Sequence, residues 1–293
     1  MNETFNFDKY SRFSLQQPFD FSKNSSIGCG GFATVAFYPN SVAELIALTE
    51  ELKKDGVRYH VLGNLTNVLP PDDATDSVIV STKRVDGIVI GENVFVYAGV
   101  TSGALLRACR REKRLGAGFL SGIPCTLGGA LYMNAGAGGK YISEIVENVM
   151  VLREGKKYIL PLKECDYAYK HSVFMQNDDV ILGATLRLER ATEEEIEKEE
   201  KHYLGKRRHL PKGKSMGCVF KNPAGKNAGD LIERSGLKGF RIGGATISQE
   251  HANFIINEGN ATSTNVKALI TLIKNAVRLQ YGVCLEEEIR YLE

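Results

Sequence analysis

Two stretches near the C-terminal end hold residue types that could move protons. In MGCVFKNP, residues 216–223, a thiol, an ammonium and a carboxamide fall within five positions just after a glycine. Drawn out as an extended segment, Cys218, Phe220 and Asn222 share one face and Lys221 takes the other. Cys218 then reads either as a small buried hydrophobe or as a proton donor or nucleophile. No histidine lies nearby in sequence to activate it, so a Cys–His nucleophile is the weaker functional choice. The tail LEEEIR, residues 285–290, alternates so that Glu286, Glu288 and Arg290 fall on one face and Leu285, Glu287 and Ile289 on the other. The carboxylate face is either solvated or covered and aimed into a cleft, and the pattern leaves both open.

Two further stretches could hold an anion. VLGNLTN, residues 61–67, runs from a strand into a turn of Gly, Asn and Thr, which reads as an ordinary turn or as a set of backbone N–H groups facing an anion. Residues 116–139 contain eight glycines and four alanines. Such a segment is either a packing loop or a bare backbone that can lie against a pyrophosphate. It fits neither GxGxxG after a strand nor GxxxxGKS, so a dinucleotide fingerprint and a P-loop are both unsupported.

The elements around these stretches follow from periodicity and caps. Ser41 with Glu44 has capping-box spacing and opens a helix that runs to Gly56. Short strands are expected at 59–62, 78–81, 88–90 and 94–98, then a helix over 102–114. The small-residue segment 116–139 is expected to be irregular. Strands resume at 148–153, 158–161 and 180–189. Thr192 with Glu195 opens a charged, largely solvated helix to Tyr203, a natural boundary. Beyond it come a loop at 209–217, a short helix capped by Asn227, a strand at 253–256, a helix capped by Thr264 and stopped by Gly282, and the tail as a final strand. This order gives an α+β protein.

Composition excludes several classes. The chain has 293 residues, 43% hydrophobic and 25% charged, enough to bury a core and too apolar for a disordered chain. With 37 basic against 35 acidic side chains, the net charge of +2 leaves no nucleic-acid footprint. No apolar run approaches the roughly 18–20 residues of a membrane span. The first ten residues, MNETFNFDKY, are acidic and aromatic where a signal peptide is basic and then apolar, so a cytoplasmic location is expected. The six cysteines lie at least 16 residues apart, which predicts free thiols.

In order and spacing the motifs resemble those of the UDP-N-acetylenolpyruvoylglucosamine reductases, flavoenzymes that complete muramic acid synthesis for bacterial peptidoglycan. SIGCGGFA (26–33) is similar to their TxxxGGxA, VLGNLTN to LGxGSN, GIPCTLGGALYMNAGAGG to GIPGTVGGAxxMNAGAYG, CDYAYKHS (165–172) to YRxS, GCVFKNP to GSxFKNP and LEEEIR to LExEVR. The length is that of the shorter of the family's two subtypes. The resemblance implies an FAD-binding fold of the PCMH/vanillyl-alcohol-oxidase type in two subdomains, 1–82 and 83–203, and a substrate domain, 204–293, whose tail returns to the active site. It also implies non-covalent FAD, NADPH as co-substrate and a UDP-sugar substrate. Charge and hydropathy predict no nucleic-acid or membrane partner, and a monomer is expected.

Residue by residue, the resemblance assigns flavin contacts to Gly63, Asn64, Thr66 and Asn67, and to Gly122, Ile123, Pro124, Thr126, Gly128, Gly129, Asn134 and Gly136. The proton donor falls on Cys218, where the family more usually has Ser. A thiol, with a reference pKa of about 8.5, is the stronger acid. The family's arginine falls on Lys170, which keeps the charge without the planar fork. The terminal acid falls on Glu288, with Glu286 also matching, and substrate contacts fall on Tyr169, Lys221, Asn222 and His251. Leu65 stands where the turn motif has Gly. Competing readings are a relative of the same flavin fold acting on another substrate and a non-catalytic UDP-sugar or flavin sensor.

Overall fold

The computed structural model describes residues 5–292. Residues 1–4 of the segment read for an export signal, and Glu293 of the tail, lie outside the described residues. The chain forms two units, the first from residues 1–17, 35–64 and 77–208, the second from 18–34, 65–76 and 209–293. Residues 83–203 thus fall wholly in the first unit. Residues 18–34 and 65–76, which the sequence reading put with the first subdomain, group with the C-terminal residues.

In the first unit, helix Val42–Lys54 forms where expected because Ser41 Oγ accepts from Glu44 N–H at 3.1 Å. The Glu44 carboxylate closes the cap one residue early, accepting from Asn40 N–H at 2.7 Å. The helix buries Leu45, Leu48 and Leu52 against Val35, Phe37, Val78 and Val80. The last two belong to strand Thr75–Ser81, which pairs in parallel with Tyr59–Leu62. A second, antiparallel sheet runs in the order Lys156–Pro161, Val146–Arg153, Val180–Leu186, Val94–Tyr97, Ile88–Ile90. Its core takes Val96, Val149 and Ala184 together with Leu105, Leu127 and Leu131 from two helices.

Three expectations for this unit need correction. The helix after Thr101 ends at Arg111, and Arg114–Leu115 is instead a short strand paired with Glu189–Arg190. The small-residue segment does contain a helix, Leu127–Tyr132, capped by Thr126. Glycine's poor helix propensity is overridden by packing, since the Gly128 N–H donates to Ala98 O at 2.9 Å and a β-carbon at 128 would lie 3.1 Å from that of Ala98. Helix Glu193–Lys206 has the Thr192/Glu195 capping box, but it is not simply solvated. Its Glu199 carboxylate accepts from the N–H groups of Gly116 and Gly118 at 3.2 and 3.0 Å.

The second unit holds an antiparallel sheet, Arg241–Ile242, Ala245–Ile247 and Ile255–Asn257. Helix Ser263–Tyr281 buries Val266, Leu269, Ile270, Ile273 and Val277 at helical spacing, and Gly282 stops it at φ 65°. Its cap is Thr262, not Thr264. Thr264 sits in the first turn and donates from its N–H and Oγ1 to Asp72 Oδ2 at 2.8 and 2.7 Å. The tail is not one strand, because it pairs with two partners in turn. Glu287 bridges to Phe220, and only Arg290–Tyr291 forms a ladder, parallel to Val68–Leu69.

None of the six cysteines is in a disulfide. Among the described residues no helix is long and apolar enough to cross a membrane.

Candidate active site

The site residues named from sequence fall into two sets, one in each unit. The first unit carries Gly63, Asn64, the segment 122–136, Tyr169 and Lys170, and the second carries Thr66, Asn67, Cys218, Lys221, Asn222, His251 and Glu288. The turn after strand Tyr59–Leu62 is thus divided between them at residues 64 and 65.

In the first set, two turns lie against each other. A β-carbon at Gly63 would lie 2.2 Å from Thr126 Oγ1, so only glycine lets this hydroxyl reach the backbone there. Asn64 Nδ2 donates to Pro124 O at 3.3 Å, tying the same two turns. Ser102 Oγ donates to Ile123 O at 2.5 Å. The N–H groups of Ile123, Cys125, Leu127 and Gly128 are committed to backbone carbonyls, and that of Gly129 to Thr126 Oγ1. The packing reading of the glycines holds at three of them. Those at 63, 128 and 136 are required by packing, the last because a β-carbon would meet Lys140 O at 2.2 Å. Exposed Gly122, at φ 75°, leaves bare backbone.

Just before it, Ser121 Oγ is buried with no hydrogen-bond partner. An orphaned hydroxyl beside bare backbone suits a bound group with oxygen acceptors, and the segment fits a flavin dinucleotide on that ground. Burial pushes the neighbouring Cys125 thiol up to about 11, so it stays protonated and takes no part as an anion.

Lys170 occupies a tight turn closed by two backbone hydrogen bonds between Ala168 and His171, both 3.2 Å, and it takes the left-handed conformation at φ 53°. Tyr169 beside it is 42% exposed and stands edge-on to Tyr141, with ring centroids 6.3 Å apart. The side chain of Asn134 is 3% exposed and hydrogen-bonded to backbone at both ends, at Ala168 O and Ser143 N.

In the second unit the Cys218 segment lies between two neighbours. On one side Cys218 bridges to Phe254, and Val219 N–H donates to Asn253 O at 2.8 Å. On the other, Glu288 N–H donates to Val219 O and Lys221 N–H to Glu286 O, each at 2.8 Å. Cys218 and Glu288 are thereby set on adjoining extended segments, both half-buried. Val219 and Phe220 are both buried, because the segment is covered on both sides.

Asn67 Nδ2 donates to Glu288 O at 3.1 Å, and Asn67 O accepts from Arg290 N–H, so this residue fixes the tail. Thr66 precedes it in the same segment. Leu65, where the family's motif has glycine, takes a left-handed backbone at φ 52° and buries its side chain. Lys221 pairs with the largely exposed carboxylate of Glu286 at 2.5 Å, so that carboxylate lies on a solvated face. Asn222 Oδ1 accepts from Ala228 N–H at the start of helix Ala228–Arg234. His251 packs edge-on to Phe254, its Nδ1 accepting from Asn253 N–H, and burial foremost holds its pKa below the ordinary histidine value. Sequence reasoning missed Asn253, which lies two residues before strand Ile255–Asn257 and not at its start, and whose signal was a polar residue at the head of an apolar run.

Residues 33–156 match the family model of an FAD binding domain, and with the glycine-lined turns this defines an FAD-binding protein. Residues 208–292 match the model described as UDP-N-acetylenolpyruvoylglucosamine reductase, C-terminal domain. The reductase of that name from Caldanaerobacter subterraneus subsp. tengcongensis is 37% identical over 96% of this chain and 94% of its own. That from Geobacter metallireducens is 37% identical over 92% and 91%. The crystal structure of the Thermus caldophilus reductase superposes with a TM-score of 0.83 at 30% identity, covering 96% of this chain and 99% of that one. The chain belongs to the UDP-N-acetylenolpyruvoylglucosamine reductase family.

Proposed function

We propose that this protein reduces UDP-N-acetylglucosamine enolpyruvate to UDP-N-acetylmuramate at the expense of NADPH, in the cytoplasm, for peptidoglycan precursor synthesis. Bound FAD supplies two-electron transfer between the nicotinamide and the vinyl ether. The chain's own residues do the rest. Cys218 holds at Sγ the proton that the carbon next to the substrate carboxylate must gain. The Lys170 ammonium stabilises the negative charge that develops on that carbon and carboxylate. Glu288 is the carboxylate of the set, and Tyr169, Lys221, Asn222 and His251 orient the UDP-sugar. In sum, NADPH and a proton are consumed, the C=C bond is saturated and NADP+ is released.

The observation that carries this reading is the pairing of residues 219–221 with 286–288, which holds the thiol segment and the terminal carboxylate on adjoining rungs. The test is direct. The purified protein is expected to be yellow, to release its flavin on denaturation by acid or heat, and to oxidise NADPH only when the enolpyruvyl sugar is added. A flavoprotein that ignores this sugar, or a colourless protein that takes up no FAD, overturns the proposal.

A further inference from the structure

Resting on that reading, we infer that Asn134 is a positioning residue for Lys170 and not a flavin contact. Asn134 follows helix Leu127–Tyr132 and its C-cap Met133, in the left-handed conformation at φ 43°. Asparagine is the side-chain-bearing residue that best tolerates such a helix end. From there Nδ2 donates to Ala168 O at 2.8 Å while Oδ1 accepts from Ser143 N–H at 3.2 Å. The Ala168 carbonyl is also an acceptor in the turn that presents Tyr169 and Lys170, taking the His171 N–H.

The other leg of the turn is tied to the same segment. Ser172, fully buried, donates from Oγ to Tyr132 O at 2.6 Å. Residues 132 and 134 thus grip the turn at 168 and 172. The grip has a purpose, because Lys170 sits at φ 53° with no glycine to ease it. A strained residue persists only where its surroundings over-determine it. Without the Asn134 amide the turn can relax, and displacing a catalytic cation by about 1 Å costs about 10²-fold in rate.

The experiment uses the FAD-loaded protein carrying Asn134→Asp, which keeps size, left-handed tolerance and the Ser143 acceptor but deletes the Ala168 donor. Bound FAD per chain is expected to equal wild type, and amide hydrogen exchange at Tyr169–His171 to rise. Turnover should fall about 10- to 100-fold, while the equilibrium dissociation constant of the enolpyruvyl sugar, measured by calorimetry on the oxidised protein, changes far less. In a Lys170→Met background the same substitution should cost nothing further. Asn134→Gly carries the test if the aspartate variant fails to fold. Equal costs in both backgrounds, or loss of FAD from a folded variant, overturn the inference alone. A wild type inactive toward the sugar overturns the function and the positioning role together.

Discussion

The carboxamide of Asn253 holds the peptide of Phe220 from both sides, Oδ1 accepting its N–H at 2.9 Å and Nδ2 donating to its carbonyl at 2.8 Å. Both residues are buried, so no water can replace the pair. Removing the amide strands one donor and one acceptor at about 1–3 kcal/mol each. Asn253→Ala is expected to lower stability by about 2–6 kcal/mol in urea denaturation. A loss under about 0.5 kcal/mol would show that the clamp is dispensable.

Cys218 is expected to serve only the half-reaction that consumes the enolpyruvyl sugar. Cys218→Ala should leave the NADPH half-reaction nearly intact and slow the second by about 10²–10⁴, with Cys218→Ser milder. Stopped-flow traces in which both halves slow equally would make the thiol structural.

Lys170→Met keeps the stem and removes the charge. It should depress turnover by about 10²–10³ while weakening ground-state binding little, as expected for a group that acts on charge developing in the transition state. Lys170→Arg should retain substantial activity, since it restores the family's cation. Equal single-turnover rates for wild type and Lys170→Met would remove this residue from the catalytic set.

Asp72 accepts from the N–H groups of Ser263 and Thr264, at 2.6 and 2.8 Å, at the start of helix Ser263–Tyr281. Partial burial alone would raise its pKa, but the hydrogen bonds from Thr264 and Ser263 outweigh it and hold the pKa below the ordinary 3.8. A depressed carboxylate stabilises the fold above 3.8, and that share is lost as pH falls through the folded value. Asp72→Asn, which removes a negative charge at the helix N-terminus, should therefore cost about 0.3–1 kcal/mol at neutral pH, and the gap from wild type should close as pH falls below 3.8. A gap that persists unchanged in acid would deny the charge any part.

What sequence reveals here is what lies close along the chain. Ser41 and Thr192 announce their helices because cap and partner are three residues apart. Thr264 misled because Thr262 and Thr264 both precede an apolar periodic run, and only Asp72, far away in sequence, takes Thr264 out of contention. Helix Leu127–Tyr132 was hidden by its own glycines, which look like breakers until Ala98 is seen against Gly128. For the site, motif resemblance named residues in both units. It gave no sign that the Asn134 amide binds the turn before Lys170, because Ala168 lies 34 positions on.

The chain passes between the two units five times, at 17/18, 34/35, 64/65, 76/77 and 208/209. Val68 and Leu69 leave the ribosome long before Arg290 and Tyr291, their parallel partners, with all of residues 77–208 translated in between. The second unit must wait with an unfilled strand position while the first is made. During synthesis its early segments are open to wrong partners, and they gain the right one only after the other unit has emerged.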